Sequence, residues 1–306
     1  MLKLLAYLPI DRITEEVPGV EMTAVPMDED LPDDLQGEVL LTLPFGSPNM
    51  AEVLANGVKW VHTIGTGVDG FPLELVGDRI LTCSRGASAI PIAEWVMAML
   101  LSDAKRLPTS WVKEKPNSWN MADLEGLHGK TLGLVGFGSI GQAIARRALP
   151  FGMHVQAYRR SAQSGEVPGV TPVSSLPALA AAADHLVIAA PATPATAGLI
   201  GNDILAAMKP DAHLINISRG SLIDQNALRE ALDGGRLRLA SLDTVTPEPL
   251  PEGHWMYQHD EIRLSPHISW GMPDSFDAIV DTFIANLKRY MANETLEGVV
   301  DIAHGY

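Results

Sequence analysis

Short runs of consecutive apolar residues alternate along the chain with longer stretches in which apolar positions recur every three or four residues. Runs at Leu2–Leu8, Val39–Leu43 and Val58–Ile64 predict buried strands near the start. A second series at Thr131–Val135, His154–Tyr158, His185–Ala189, His213–Ile217, Ala240–Asp243 and Ile262–Leu264 predicts six more. Between Ala87 and Leu107, Ile92, Trp95, Val96, Met99 and Leu100 fall on one helical face. Between Ser275 and Met291, Phe276, Ile279, Val280, Phe283, Ile284 and Leu287 do the same. Continuous apolar strands separated by helical patterns indicate βαβ units on parallel sheets, so the predicted class is α/β. The polar stretch 108–126, with Pro116 and Asn117, predicts a connector.

Composition sharpens this outline. A chain of 306 residues, at roughly 100–200 per domain, predicts two domains. With 46% hydrophobic and 19% charged residues the chain is globular, not disordered. Lys and Arg number 22 against 37 Asp and Glu, a net charge of −15. That field repels phosphate backbones and anionic lipid, which argues against nucleic acid and membrane surfaces as partners. No apolar stretch approaches the ~18–20 residues a bilayer span needs. The apolar start, Met1 to Ile10, contains Pro9 and no small-residue cleavage site, so it predicts a first strand and not a leader. Cys83 is the only cysteine, which excludes an intrachain disulfide and fits a cytoplasmic setting. The histidines show no ligand pairing at helical or loop spacing, so no metal is expected. No Gly-x-Ser-x-Gly elbow is present, which argues against a covalent hydrolase.

The first chemical signal is Gly136-Phe-Gly138-Ser139-Ile140-Gly141, placed between a predicted strand and a helix beginning near Gln142. Glycines at this spacing make a tight turn, let backbone approach a pyrophosphate and allow close helix–strand packing. The helix N-terminus adds N–H donors and a favourable dipole. A NAD-selective site places an acidic residue ~20 positions on, to bind the ribose hydroxyls. Here Arg159, Arg160 and Ser161 occupy that region. Two guanidiniums attract a 2′-phosphate where a carboxylate would repel it, so NADP(H) is expected, with NAD(H) the alternative. A pair of solvated surface arginines is the plainer explanation of the same residues.

Three later segments each follow a predicted strand: Asn216-Ile-Ser218-Arg219-Gly220, Asp243-Thr-Val-Thr-Pro-Glu248-Pro249 and Ser265-Pro-His267. In doubly wound sheets, ligands bind beyond the carboxyl ends of strands, so all three would face one crevice. Arg219 suits a substrate carboxylate through paired, charge-assisted bonds. His267 suits proton transfer near neutral pH, with Glu248 to orient its ring. An anchor, an orienter and an acid are what reduction of a 2-oxo acid requires. Taken singly, each of these residues is as easily a turn or a solvated loop charge.

Their order and surroundings resemble the D-isomer-specific 2-hydroxyacid dehydrogenases, in particular glyoxylate/hydroxypyruvate reductase-like members. The matching stretches are Gly65-Thr-Gly-Val-Asp69, Pro91-Ile-Ala-Glu94, Gly136 to Gly141, Pro191-Ala-Thr-Pro-Ala-Thr196, Met208-Lys-Pro, Asn216 to Gly220, Leu242 to Leu250 and Ser265-Pro-His267. The resemblance implies two Rossmann-like, doubly wound parallel-sheet domains with the active site between them and the substrate domain discontinuous. Residues 1–99 and 286–306 would form that substrate domain and 100–285 the dinucleotide-binding one. It further implies that Arg219 binds the substrate carboxylate, His267 donates the proton and Glu248 bonds His267. Backbone amides around Thr66 and Gly67 would grip the carboxylate's other side, and Asp243 the nicotinamide carboxamide, with Ser218 nearby. Gly138 to Ile140 would contact pyrophosphate, and the Pro191–Thr196 loop would line the adenosine side. A homodimer is implied, with Trp111, Trp119 and Met121 of the connector placed against the partner copy.

Some positions depart from the family pattern. Arg159 stands for the usual acidic residue, Ser265 for Thr, and Asp211 for Gly after Met-Lys-Pro. Phe45, Trp270 and Met272 are candidates for the substrate side-chain pocket, with ordinary packing the alternative. Two other functions stay open: an NAD-linked D-2-hydroxyacid or 3-phosphoglycerate dehydrogenase, and a dinucleotide-sensing, corepressor-like binding protein.

Overall fold

The computed structural model describes residues 1–120, 123–159 and 167–306. It divides into two compact units, residues 1–88 with 272–306, and residues 89–271. Boundaries at 99/100 and 285/286 would cut through two helices. Each helix instead belongs whole to the unit whose sheet it covers.

The first unit is a five-stranded parallel sheet in the order β2-β1-β3-β4-β5, from β1 (Leu2–Ala6), β2 (Val20–Ala24), β3 (Val39–Thr42), β4 (Trp60–Thr63) and β5 (Ile80–Cys83). Alternate residues feed two cores, as strand geometry requires. Leu5, Leu40 and Val61 pack with Met50, Val53 and Leu54 of helix α2 (Met50–Ala55). Leu4, Leu41 and Trp60 pack with Ile13 of helix α1 (Asp11–Glu16) and with Phe283 and Leu287 of the C-terminal helix, Ser275–Met291. That helix has the predicted bounds, with Asp277 in its first turn and Lys288 and Arg289 in its last, complementing the dipole. Phe276, expected on its apolar face, is exposed instead.

His62 lies wholly inside this unit. Its Nδ1 is 2.7 Å from Thr82 Oγ1 and its Nε2 3.2 Å from Ser84 Oγ. Trp60 Nε1 donates to Thr82 and the Ser84 hydroxyl donates to the Ile279 carbonyl. The chain of bonds closes with a neutral imidazole, and burial pushes the His62 pKa down to about 3.

The second unit begins with α3 (Ala89–Ala104) and builds a seven-stranded parallel sheet in the order β12-β11-β10-β9-β6-β7-β8. The strands are β6 (Thr131–Val135), β7 (His154–Tyr158), β8 (Val170–Val173), β9 (His185–Ile188), β10 (His213–Asn216), β11 (Leu239–Leu242) and β12 (Ile262–Leu264). Leu132, Leu134, Val187 and Ile215 bury one face under α3 and α4 (Ser139–Ala148). Leu186, Leu214, Ala240 and Leu242 bury the other under α5 (Leu176–Ala182), α6 (Asn202–Ala207) and α7 (Gln225–Asp233). Helices on both faces make it doubly wound, and the strand order reverses between β6 and β9. The stretch after α3 forms no strand or helix among the described residues as far as β6. No described helix is long and apolar enough to cross a membrane.

Candidate active site

The glycine-rich turn leaves β6 at the switch point. Gly136 has φ +97°, a left-handed conformation that favours glycine. A Cβ there would sit 2.7 Å from the Ala189 and Ala190 backbone, and one on Gly141 would sit 2.6 Å from the Gly136 carbonyl oxygen. Those two glycines are needed for packing. Gly138 differs, because a Cβ there would meet nothing within 4 Å among the described residues. It is the residue before α4, so open space lies against the start of the helix that Ser139, Ile140 and Gly141 begin. This is the cradle a pyrophosphate requires: bare backbone, N–H donors and the positive end of a ten-residue helix.

Arg159 follows β7 directly, and its guanidinium carbon lies 6.0 Å from the centre of the Phe137 ring within the glycine turn. The arginine thus lies beside the glycine turn. Arg160, Ser161 and, in the connector, Met121 lie outside the described residues. The loop after β9 is closed on itself: the Thr196 hydroxyl accepts from the Thr193 N–H at 2.8 Å and donates to the Pro191 carbonyl at 2.8 Å.

The other predicted residues gather at the carboxyl ends of three neighbouring strands, β10, β11 and β12. After β10, buried Ser218 donates through its hydroxyl to the Ala190 carbonyl, tying this loop to the one after β9. Asn216 braces the turn from inside, accepting from the Ser218 N–H at 3.1 Å and donating to the Arg219 carbonyl at 2.9 Å. Gly220 lies directly against the next loop, where a Cβ would fall 2.0 Å from the Val245 carbonyl carbon. Only glycine lets the Arg219 turn approach the Glu248 loop so closely.

After β11, the Asp243 carboxylate is buried and collects three donors from the segment beyond β12. These are the Ser265 hydroxyl at 2.5 Å, the Ile268 N–H at 3.0 Å and the Ser269 N–H at 2.9 Å. The His267 N–H also donates to the Asp243 carbonyl, at 2.9 Å. These bonds hold His267 at φ +55°, a conformation uncommon outside glycine. The Glu248 carboxylate accepts from the Val245 N–H at 3.0 Å through Oε1 and faces His267 Nδ1 at 2.9 Å through Oε2. Nδ1 is thereby committed, and Nε2 is the ring nitrogen left for proton exchange. Trp270 Nε1 donates to the His267 carbonyl at 3.0 Å, placing its indole beside the histidine. Ser265 keeps the hydroxyl that Asp243 uses, so its replacement of Thr costs no bond.

Thr66 and Gly67 are half-buried in the first unit, in the turn after β4, where the Ser84 N–H donates to the Gly65 carbonyl at 2.8 Å. Phe45 and Met272 are exposed in that unit. Two contributors were missed by sequence reasoning. Asn216 lay inside a quoted motif without a role, and the Ala190 carbonyl has no side-chain signature at all. Histidine pairing was also missed: β9 and β10 bring His185 and His213 side by side as register partners, although they are 28 positions apart. Asp211 precedes β10 at the opposite end of the sheet, where its carbonyl accepts from Arg238 Nε at 3.0 Å.

A doubly wound parallel sheet with a glycine turn at its switch point defines the class of dinucleotide-binding α/β proteins. Comparison narrows the class. Residues 97–269 match the family model described as "D-isomer specific 2-hydroxyacid dehydrogenase, NAD binding domain". That is more than half the chain, which therefore belongs to the D-isomer specific 2-hydroxyacid dehydrogenase family. The chain is similar to D-3-phosphoglycerate dehydrogenase of Methanocaldococcus jannaschii, 31% identical over 99% of this chain and 60% of that protein. It is 29% identical to glyoxylate/hydroxypyruvate reductase A of Serratia proteamaculans, over 96% and 94% of the two chains. Among solved structures it resembles an NADPH-dependent glyoxylate/hydroxypyruvate reductase from Sinorhizobium meliloti in complex with NADP and sulfate. That match has a TM-score of 0.81 and 25% identity over the full length of both. The chain spans 60% or about half the length of the phosphoglycerate dehydrogenases it matches.

Proposed function

We propose that this protein is an NADPH-dependent reductase of small 2-oxo acids, of the glyoxylate and hydroxypyruvate type, yielding a D-2-hydroxy acid. The observation that carries the reading is the His267–Glu248 pair, 2.9 Å apart at strand ends that adjoin the Arg219 turn. Arg219 binds the substrate carboxylate and polarises the keto oxygen, and Trp270 bounds the substrate beside His267. Glu248 keeps the proton on Nδ1 and fixes the ring, so that Nε2 delivers a proton to the oxygen as it gains charge. Asp243 holds the histidine segment and retains acceptor capacity on Oδ2 for the nicotinamide carboxamide. The reduced nicotinamide, when bound, supplies the hydride that the keto carbon receives. Gly136 to Gly141, Ser218 and the Pro191–Thr196 loop would hold its dinucleotide.

The preference for NADPH rests on Arg159, fixed next to the glycine turn where an acidic residue would select NAD, and is supported by the relative solved with NADP. The same reading makes the protein a cytoplasmic homodimer. Exposed Trp111 and Trp119 in the connector, 65% and 71% accessible, are the surface assigned to the partner copy.

The test is loss of reduced-nicotinamide absorbance with glyoxylate, hydroxypyruvate or phosphohydroxypyruvate, using NADPH and NADH in parallel. Oxidation of NADPH with either unphosphorylated acid, lost in His267→Ala, is the expected result. A preference for NADH overturns the cofactor assignment, and turnover confined to the phosphorylated acid overturns the substrate assignment.

A further inference from the structure

At the other end of the same sheet lies a polar cluster that the proposed reaction does not use. His185 and His213 are the first residues of β9 and β10 and are register partners, so both imidazoles project from one face of the sheet. That face is the one α3 covers, and Asp103 stands one residue before the end of α3. One ligand-capable atom from each of the three lies within 4.8 Å of the others. The imidazole centres are 5.8 Å apart, and His213 Nδ1 is 3.8 Å from Asp103 Oδ2, beyond hydrogen-bond length. Both Nδ1 atoms are buried without a hydrogen-bond partner among the described residues. The His213 ring is fixed by its other nitrogen, 2.8 Å from Ser241 Oγ.

Leaving a buried nitrogen unpaired is costly, and here two occur together facing a carboxylate. Burial pushes the pKa of His213 down to about 3 and that of His185 to about 4. A neutral imidazole has one ring nitrogen with a free lone pair, and an unpartnered Nδ1 can offer it to a cation.

We propose that Asp103, His185 and His213 bind one divalent transition-metal ion of the zinc type, through one nitrogen of each imidazole and one carboxylate oxygen. Two imidazoles and a carboxylate suit Zn²⁺, Co²⁺ or Ni²⁺ and not the all-oxygen preference of Mg²⁺ or Ca²⁺. Ligands ~2.1 Å from a tetrahedral ion stand ~3.4 Å from one another. The His213–Asp103 separation of 3.8 Å is near that value, and with all three ligand atoms within 4.8 Å of one another, side-chain rotations must draw them together on binding. Arg238 grips Asp103 with both terminal nitrogens, at 2.9 and 2.7 Å. That grip uses one lone pair on each oxygen and leaves others free, so Arg238 orients the carboxylate as an outer-shell partner does. Arg263, 3.8 Å from Asp103, is a like charge that weakens the site, and its buried Nη1 likewise has no hydrogen-bond partner among the described residues. A cavity of about 380 Å³ lined by Asp103, Pro108, Glu125, Arg238 and Arg263 opens onto the carboxylate side of the cluster, and neither histidine lines it. Such an ion would tie α3 to the two strands at their amino ends, away from the His267 end, so it acts on stability and not on turnover.

The experiment is titration of the chelator-stripped, full-length protein with Co²⁺, read by visible d–d absorption, with Zn²⁺ as competitor and thermal melting in parallel. A signal saturating at one ion per chain, displaced by Zn²⁺ and accompanied by a higher Tm, is expected. Loss of an outer-shell partner costs 10–100-fold in affinity, so His213→Gln and Asp103→Asn, which remove a ligand, are each expected to weaken binding by at least about 100-fold. His259→Gln, altering an exposed pairing with Asp233 and Glu261, leaves it unchanged. A cooperative melt in the apo variants shows that they fold, and Asp103→Asn keeps the side-chain shape should His213→Gln fail this check. Absence of a one-equivalent signal, or its survival in the folded variants, overturns the proposal.

Discussion

The two ends of the seven-stranded sheet are built on opposite principles. At the carboxyl ends of β10 to β12, reactive groups are half-exposed and held by backbone: the His267 and Glu248 side chains are 39% and 36% accessible, while Asp243, which fixes the histidine segment, is buried. At the amino ends, His185 and His213 are themselves buried, and Asp103, half-buried with its side chain 10% accessible, is neutralised by an arginine on its surface side. Side chains at the first end can change with little effect on the fold. At the second they are part of it.

Substitutions should therefore separate rate from stability. His267→Ala is expected to lower kcat/KM by about 10³-fold, with Tm within about 1 °C of the parent; a large loss of Tm would break the contrast. Asp243→Asn crosses the divide, because its amide would face the Ser269 N–H or the Ile268 N–H donor to donor. It should lose about 1–3 kcal/mol of stability and, through a displaced His267, about 10–100-fold in kcat, measured by denaturant unfolding and steady-state kinetics. Arg159→Ala should raise KM for NADPH about tenfold, the worth of one charge-assisted bond, with kcat and the NADH parameters unchanged. Asp103→Leu should do the reverse, removing about 1–2 kcal/mol of stability once solvent around Arg238 is allowed for and leaving kcat as it was.

A further effect is one of pH and concerns His62, buried in the other unit, where desolvation lowers its pKa. Its folded-state pKa lies below the unfolded value of 6.5, so between these values the unfolded chain binds the extra proton. Stability is complete above about pH 6.5 and falls as pH drops, by about 1.4 kcal/mol per pH unit from this residue. Urea unfolding from pH 7 to 5 should show a shallower acid limb in His62→Gln.

The same contrast explains what could be read in the sequence. β6, β7 and β12 have the predicted bounds, and the catalytic candidates were legible because each follows its strand within a few residues. Their information is local in the chain. The edge strands β2 and β8 were not foreseen, since half-exposed Val-Glu-Met-Thr-Ala lacks an apolar run and Val-Thr-Pro-Val carries a proline tolerated only at an edge. β5, Ile-Leu-Thr-Cys, was likewise not foreseen. Asp103, His185 and His213 were unreadable for a different reason. Their meeting depends on which strands pair and in what register, and neither neighbours nor spacing along the chain encode it.

The contact at Gly220 sets a rule for anyone wishing to redesign this catalyst. Because residue 220 has no room for any side chain, the segments bearing Arg219 and Glu248 cannot be diversified independently: an insertion or bulky replacement in one is felt at once in the other. A library aimed at new substrates should hold 216–220 and 243–248 constant and vary Trp270, whose accessible indole borders the proton donor.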